Sequence, residues 1–276
     1  MGTNRMKTMT LAIGAGLMLP MALSAQTIWV ERNHEATITV EAVKPFFDAA
    51  GSTTESSAVA LGLRMPVSPR ILVAAELPYA NSGWRAGEHT TRQHSVGNPY
   101  VGLEARPWDT RPLRLDLGVR VPMASSENPQ ATGLGVLSDL DRMEAFAPQM
   151  WSVRGNAAYQ VAMSPQVGIG MHAGPLVTIA KHRDEMESRA DLFAVYGSEV
   201  TYQPSRLRLA AGVGGRSLVT ESDESFNNRS FNQVGAAASY QFGRVRPGLH
   251  LAMPLESAQR DIMNWSLGLN LQVGLH

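Results

Sequence analysis

The sequence predicts an all-β protein: a transmembrane antiparallel β-barrel of about 12 strands, preceded by a cleavable signal peptide. Three observations carry this. Apolar residues alternate with charged, polar or small ones along segment after segment, the period of a strand with two different faces. The connections between those segments are alternately short and long. After the first 25 residues, no apolar run is long enough for a transmembrane helix of about 20 residues.

The clearest segment is 113–123. Leu113, Leu115, Leu117, Val119, Val121 and Met123 share one face, and Arg114, Asp116, Gly118, Arg120 and Pro122 share the other. A helix would spread both sets around its circumference.

The chain begins like an export signal. Arg5 and Lys7 precede an uncharged apolar run over 11–23, and Leu23-Ser24-Ala25 offers a cleavage site before Gln26. This divides the chain into a signal peptide, 1–25, and a barrel, 26–276. Formal net charge is zero and charged residues make up 17%. That is less than the usual quarter for a soluble protein and gives no support to a nucleic-acid surface. There is no cysteine, which excludes disulfides, thiol catalysis and Cys-ligated metals.

Twelve alternating segments follow. They span 37–44, 58–66, 71–79, 96–106, 113–123, 150–163, 167–179, 190–203, 206–219, 231–242, 248–255 and 263–275. Tight turns fall at 68–70, 107–112, 164–166, 204–205 and 243–246, with Pro, Ser or Gly supplying the bend. Polar loops fall at 48–57, 80–95, 124–148, 181–189 and 220–230, and the last connection, 256–261, is short. This rhythm puts both termini and the tight turns on the periplasmic side, with the longer loops outside. Pro78, Pro122, Pro175 and Pro254 recur near the far ends of strands leaving a tight turn, where a missing N–H does least harm.

A soluble β-sandwich also alternates. Here the polar face mixes Gly and Ala with Arg, Glu and Asp, and after the signal only Lys44 and Lys181 are lysine. Tyr79, Trp108, Trp151, Tyr202, Phe242 and Trp265 flank the apolar faces, as interface girdles require. The apolar face is therefore read as the lipid face. Charge in hydrocarbon costs several kcal/mol, so the charged face turns inward. Parity assigns Glu41, Arg64, Glu76, Glu104, Arg106, Arg114, Asp116, Arg120, Arg154, His172, Glu199, Arg208, Arg216 and His250 to the lumen. Small residues between these charges suit a narrow channel, and a salt-bridged filled lumen is the alternative. Arg114, Asp116 and Arg120 are the selectivity candidates.

One hairpin adds a resemblance. Leu77-Pro78-Tyr79, followed by Val96-Gly97-Asn98-Pro99-Tyr100-Val101-Gly102-Leu103-Glu104, resembles the loop-to-strand signature of a family of exported outer-membrane barrels. These are transporters associated with aromatic (phenol) degradation pathways. The resemblance implies a barrel of roughly twelve strands and uptake of small, often hydrophobic molecules. Asn98-Pro99 stands where that family often carries Gly-Asp, and the chain ends in Leu275-His276 rather than an aromatic.

Enzyme chemistry finds little support. A lipid-modifying barrel would need Ser, His and an acid converging at one rim, whereas His172, His250 and Ser239 fall on three separate strands. His89 and His94 match no metal spacing, and Glu221, Asp223 and Glu224 lack a Gly-centred Ca²⁺ loop. The expectation is therefore a non-enzymatic passive channel or transporter in the outer membrane of a Gram-negative cell. It would use no cofactor or metal. Its partners would be outer-membrane lipid, a small solute and the barrel-assembly machinery, but no nucleic acid, and it would act as a monomer. The alternatives are a lipid-modifying enzyme, or a structural or surface-binding barrel whose loops 80–95 and 124–148 meet partners.

Overall fold

The structure, a computed structural model, describes residues 34–47, 56–86, 89–108, 112–181, 188–220 and 229–275. The expected export signal lies outside them, as do Glu221, Asp223 and Glu224.

Thirteen strand segments form one antiparallel sheet: β1 (Thr37–Phe46), β2 (Ser57–Pro66), β3 (Ile71–Ala86), β4 (His89–Val96), β5 (Tyr100–Ala105), β6 (Leu113–Arg120), β7 (Met150–Ala162), β8 (Val167–Lys181), β9 (Ser188–Tyr202), β10 (Leu207–Leu218), β11 (Ser230–Tyr240), β12 (Val245–Pro254) and β13 (Trp265–Gly274). β4 and β5 both pair with β3, one above the other, with Tyr79 opposite Val96 and Glu76 opposite Tyr100. They are two halves of one stave, interrupted at Gly97-Asn98-Pro99. β1 pairs with both β2 and β13, and β2 with β3, so the ring closes as a 12-strand barrel, above which β4 pairs with β3 alone among the described residues. Thr37 faces Gly274, which places both ends of the barrel at the rim of short turns.

The two faces invert the pattern of a soluble protein. Leu61, Leu103, Leu117, Met171, Val200, Leu249 and Leu269 are exposed on the outside. Arg64, Glu104, Arg114, Arg120, Arg154, Glu199, Arg208, Arg216 and His250 are buried on the inside. Tyr79 and Trp151 stand exposed near the outer rim, and Trp108, Tyr202 and Phe242 near the periplasmic rim. Phe46 and Trp265 face each other across β1 and β13 at the outer rim and stack at 3.8 Å.

Inside the wall, Tyr100 lies across the cross-strand pair Gly102 and Gly118. A Cβ at either glycine would come within 2.3 Å of the tyrosine oxygen, so both positions need glycine for the ring to lie flat. The β7–β8 ladder lapses where Gly155 and Asn156 meet Gly174 and Pro175, because proline has no N–H to offer.

Two expected loops carry structure of their own. Residues 80–95 continue β3 and form β4, with Asn81 opposite His94 and Gly83 opposite Arg92. This hairpin rises above the barrel wall, with Ser82 and Ser95 buried on its inner side. It keeps its backbone bonds and loses the alternation that would have marked it. Residues 124–148 turn inward.

Candidate functional site

The inward segment leaves β6 at Val121, enters α1 (Pro129–Ser138), and passes into a 3-10 helix, Leu140–Ala145. Pro129 starts α1, where its missing N–H costs nothing. Asp139 is extended between the two helices, and its side chain accepts from the Asp141 N–H at 3.0 Å. The segment buries apolar residues of its own, Ala131, Leu134, Leu140, Ala145 and Phe146. Gly135 sits against the Phe146 ring, where a Cβ would come within 2.3 Å. Phe146 and Ala145 pack with Ala58 and Ala80 on the wall.

Asn98 fixes both roots of the segment. Its amide donates to the carbonyls of Glu144 (2.8 Å) and Ala147 (2.7 Å). Its side-chain oxygen accepts from the N–H groups of Met123 and Ala124, both at 2.8 Å. Its backbone N–H donates to the Ala145 carbonyl at 2.6 Å. The side chain is fully buried and uses all of its usual amide bonding capacity. Gly97 beside it admits this approach, since a Cβ there would lie 2.3 Å from the Ala145 oxygen.

Arginines tie the segment to the wall. Arg142 donates to Asp139 at 2.6 Å and to Glu76 on β3 at 3.0 Å, and also to Glu41 on β1. Arg120 donates to Glu76 at 2.7 Å and to the Asn98 carbonyl at 3.0 Å, with its guanidinium 5.3 Å from the Tyr100 ring centre. Arg216 on β10 donates to Glu144 at 2.9 Å and to the Leu140 carbonyl at 2.8 Å. Arg154 on β7 reaches the Asp141 carbonyl at 3.2 Å. His250 lies 3.8 Å from Glu41.

A second ionic layer lies nearer the periplasm. Arg64 pairs with Glu104 through two hydrogen bonds. Arg114 donates to Asp116 at 3.2 Å and lies 4.0 Å from Glu104. Asn156 also donates to Asp116, at 3.3 Å, and Arg208 meets Glu199 at 3.5 Å. Arg106, half-buried, lies within electrostatic reach of Arg114 and Glu104. His172 lies on β8 with its ring against Gly197, four staves from His250 on β12, which lies against Gly268. Of the selectivity trio, the structure brings Arg114 and Asp116 together and places Arg120 in the upper layer with Glu76. His94 is exposed on β4.

Asn98, Asp139, Asp141, Arg142 and Glu144 were absent from the sequence assignment. The charges of Asp139-Leu140-Asp141-Arg142-Met143-Glu144, and the apolar Leu134, Val136 and Leu137 before them, are local signals that this connection is more than a solvated loop.

Electrostatics differ along the segment. Burial, and then the neighbouring Asp139, push the Asp141 carboxyl up to about 6, against Arg154, Arg216 and a hydrogen bond from Gln233. Burial also works to raise Glu144, but Arg216, Arg120 and Arg154 together hold it below the usual carboxylate range. A seated segment therefore takes up a proton at Asp141 more readily than a released, hydrated one. Seating strengthens as pH falls from 7 through about 6. The opposite contribution of Glu144 is lost only on acidification below its ordinary value of 4.5. Protease cleavage within 124–148 is expected to slow between pH 7 and 5, and Asp141→Asn to flatten that dependence. An unchanged slope in the variant would count against this account.

The fold is shared with solved outer-membrane proteins. An outer membrane channel from Pseudomonas putida F1 superposes with a TM-score of 0.56 at 13% identity, covering 92% of this chain and 97% of its own. The translocator domain of the autotransporter NalP from Neisseria meningitidis gives 0.55 at 12% identity, covering 87% and 89%. The NanC porin gives 0.52 at 10% identity, covering 86% and 100%. No family model and no curated protein matches the sequence. At these identities the likeness defines the fold, and together with the apolar exterior and charged interior it makes this chain an outer-membrane β-barrel.

Proposed function

We propose that this barrel is a narrow passive channel for small solutes, constricted by the segment folded into its lumen. The observation that supports it most is how that segment is held. Its ties to the wall are ion pairs and one asparagine clamp, beside the buried apolar residues Ala131, Leu134, Leu140, Ala145 and Phe146. A buried ion pair adds little net stability, because its attraction is largely offset by the cost of desolvating both charges. The two ionic layers would set selectivity, the upper through Arg120, Glu76 and Arg142, the lower through Arg114, Asp116, Arg64 and Glu104. Uptake of hydrophobic or aromatic solutes rests on the resemblance of the Leu77–Glu104 region to aromatic-pathway transporters. On this reading the protein works as a monomer, inserted by the barrel-assembly machinery.

One observation favours a filled lumen instead. The cavity between segment and wall, lined by Glu41, Glu76, Arg142 and Phe146, is about 10 Å³, room for a single water at most. The seated state thus blocks that side, and conduction needs the segment to move. In planar bilayers the folded protein is expected to give small, discrete conductance steps. Silence across voltage, salt and pH, with folding verified by heat-modifiable migration, would overturn the channel reading in favour of a filled barrel.

A further inference from the structure

The outward face of β9–β11 is apolar for most of its height, with Val200, Leu209, Val213 and Val234 exposed to lipid. Toward the outer rim the same face turns polar. Tyr196, Gly215 and Asn232 form one row across three strands in register. The Asn232 side chain lies flat over Gly215, where a Cβ would come within 2.2 Å of its oxygen. Across that glycine the Tyr196 hydroxyl donates to the Asn232 oxygen at 2.7 Å. On its other side Asn232 holds the Glu256 carboxylate, with its backbone N–H 3.0 and 2.9 Å from the two oxygens and its amide donating to one of them. The result is a fixed phenol, amide and carboxylate on the membrane-facing wall, where an ordinary barrel would present aromatic rings.

Beside this row lies a cavity of about 500 Å³. Val213 and Leu255 form its apolar side. Ser257 and Arg260, from the short helical turn Ser257–Arg260, form its polar side together with the Tyr196–Asn232–Glu256 row. Arg260 is exposed, and its guanidinium has no hydrogen-bond or ion-pair partner among the described residues.

We propose that this cavity binds the phosphorylated sugar headgroup of an outer-leaflet glycolipid. The chemistry is divided as that ligand requires. Carboxylate, amide and phenol groups suit sugar hydroxyls, a lone arginine suits a phosphate, and the apolar side suits the first carbons of an acyl chain. The position selects the source, because on the outward wall at the outer rim the headgroup layer is the medium that fills the cavity. The site is separate from the lumen and is independent of the channel reading.

The test is native mass spectrometry of the intact barrel in mild detergent, titrated with bisphosphorylated lipid A or with phosphatidylglycerol. One lipid A per barrel is expected, held at least tenfold more tightly than phosphatidylglycerol. Arg260→Gln should lower that affinity at least fivefold, with heat-modifiable migration unchanged. Asn232→Ala should lower it for lipid A with and without its phosphates alike, since it removes the sugar-facing row. Equal binding of the two lipids, or wild-type affinity in Arg260→Gln, would overturn the proposal.

Discussion

Arg142→Ala is expected to raise the mean conductance of the barrel severalfold and to lengthen its openings. Arg142 is buried and bonds to three carboxylates, Glu41, Glu76 and Asp139, on two different strands and on the segment itself. Removing it leaves those acids facing one another in a poorly hydrated interior, with Arg120 still serving Glu76. Breaking a buried pair by deleting one partner costs about 3–5 kcal/mol. Even about 3 kcal/mol changes the ratio of released to seated segment by about 100-fold. Arg142→Lys keeps the charge but cannot span three acceptors, so its conductance should fall between wild type and alanine. Bilayer recordings of the three proteins at one salt concentration make the comparison. Equal conductance in all three would show that this contact does not hold the constriction closed.

Asn98→Ala is expected to free the same segment from its roots. One side chain satisfies two carbonyls and two N–H groups, at Glu144, Ala147, Met123 and Ala124. A buried polar group left without a partner costs about 1–3 kcal/mol, and four are orphaned together. Part of that cost is recovered by water entering the gap, so a loss of at least about 2 kcal/mol in seating is the expectation. Hydrogen exchange at the Met123 and Ala124 amides should accelerate at least tenfold, and protease should cut within 124–148. The barrel itself, held by a closed ladder, should keep its heat-modifiable migration. Asn98→Asp makes a sharper test, because it retains the acceptor and turns an oxygen toward two carbonyls that need a donor. Unchanged protection at Met123 and Ala124 in both variants would remove Asn98 from the clamp.

The barrel wall was legible because alternation is local. Leu113 through Arg120 declare an outside and an inside with no reference to the rest of the chain, and each of the twelve staves repeats that statement. The same parity placed Glu41, Arg64 and His250 on the interior face. Parity fails where the environment stops being two-faced. In β3 and β4 beyond Tyr79 both faces carry mostly polar or small residues, so the pattern vanishes although the backbone pairing continues. It fails again at Asn232 and Glu256, where the outward face carries polar groups near the rim.

The inward segment was illegible for a different reason. Its position is decided by partners far away in sequence: Arg142 and Glu41 are 101 residues apart, Arg216 and Glu144 72, and Asn98 and Ala147 49. Within residues 124–148 the Ser, Asp and Pro residues read as a loop, and they mask the apolar Leu134, Val136, Leu137, Leu140 and Phe146. Even Asn98 read as a departure from a family pattern, and its role emerged only when two distant stretches of backbone closed around it.

By itself, then, the sequence determined the wall: the class of fold, the number of staves, the lipid face and the charged interior, because a strand's two faces are fixed by a period of two residues. The tertiary structure alone decided what occupies the interior and which arginine meets which acid. Those choices depend on closing the ring, which brings β1, β3, β7 and β10 around one segment and buries its Arg142 and Glu144 against them.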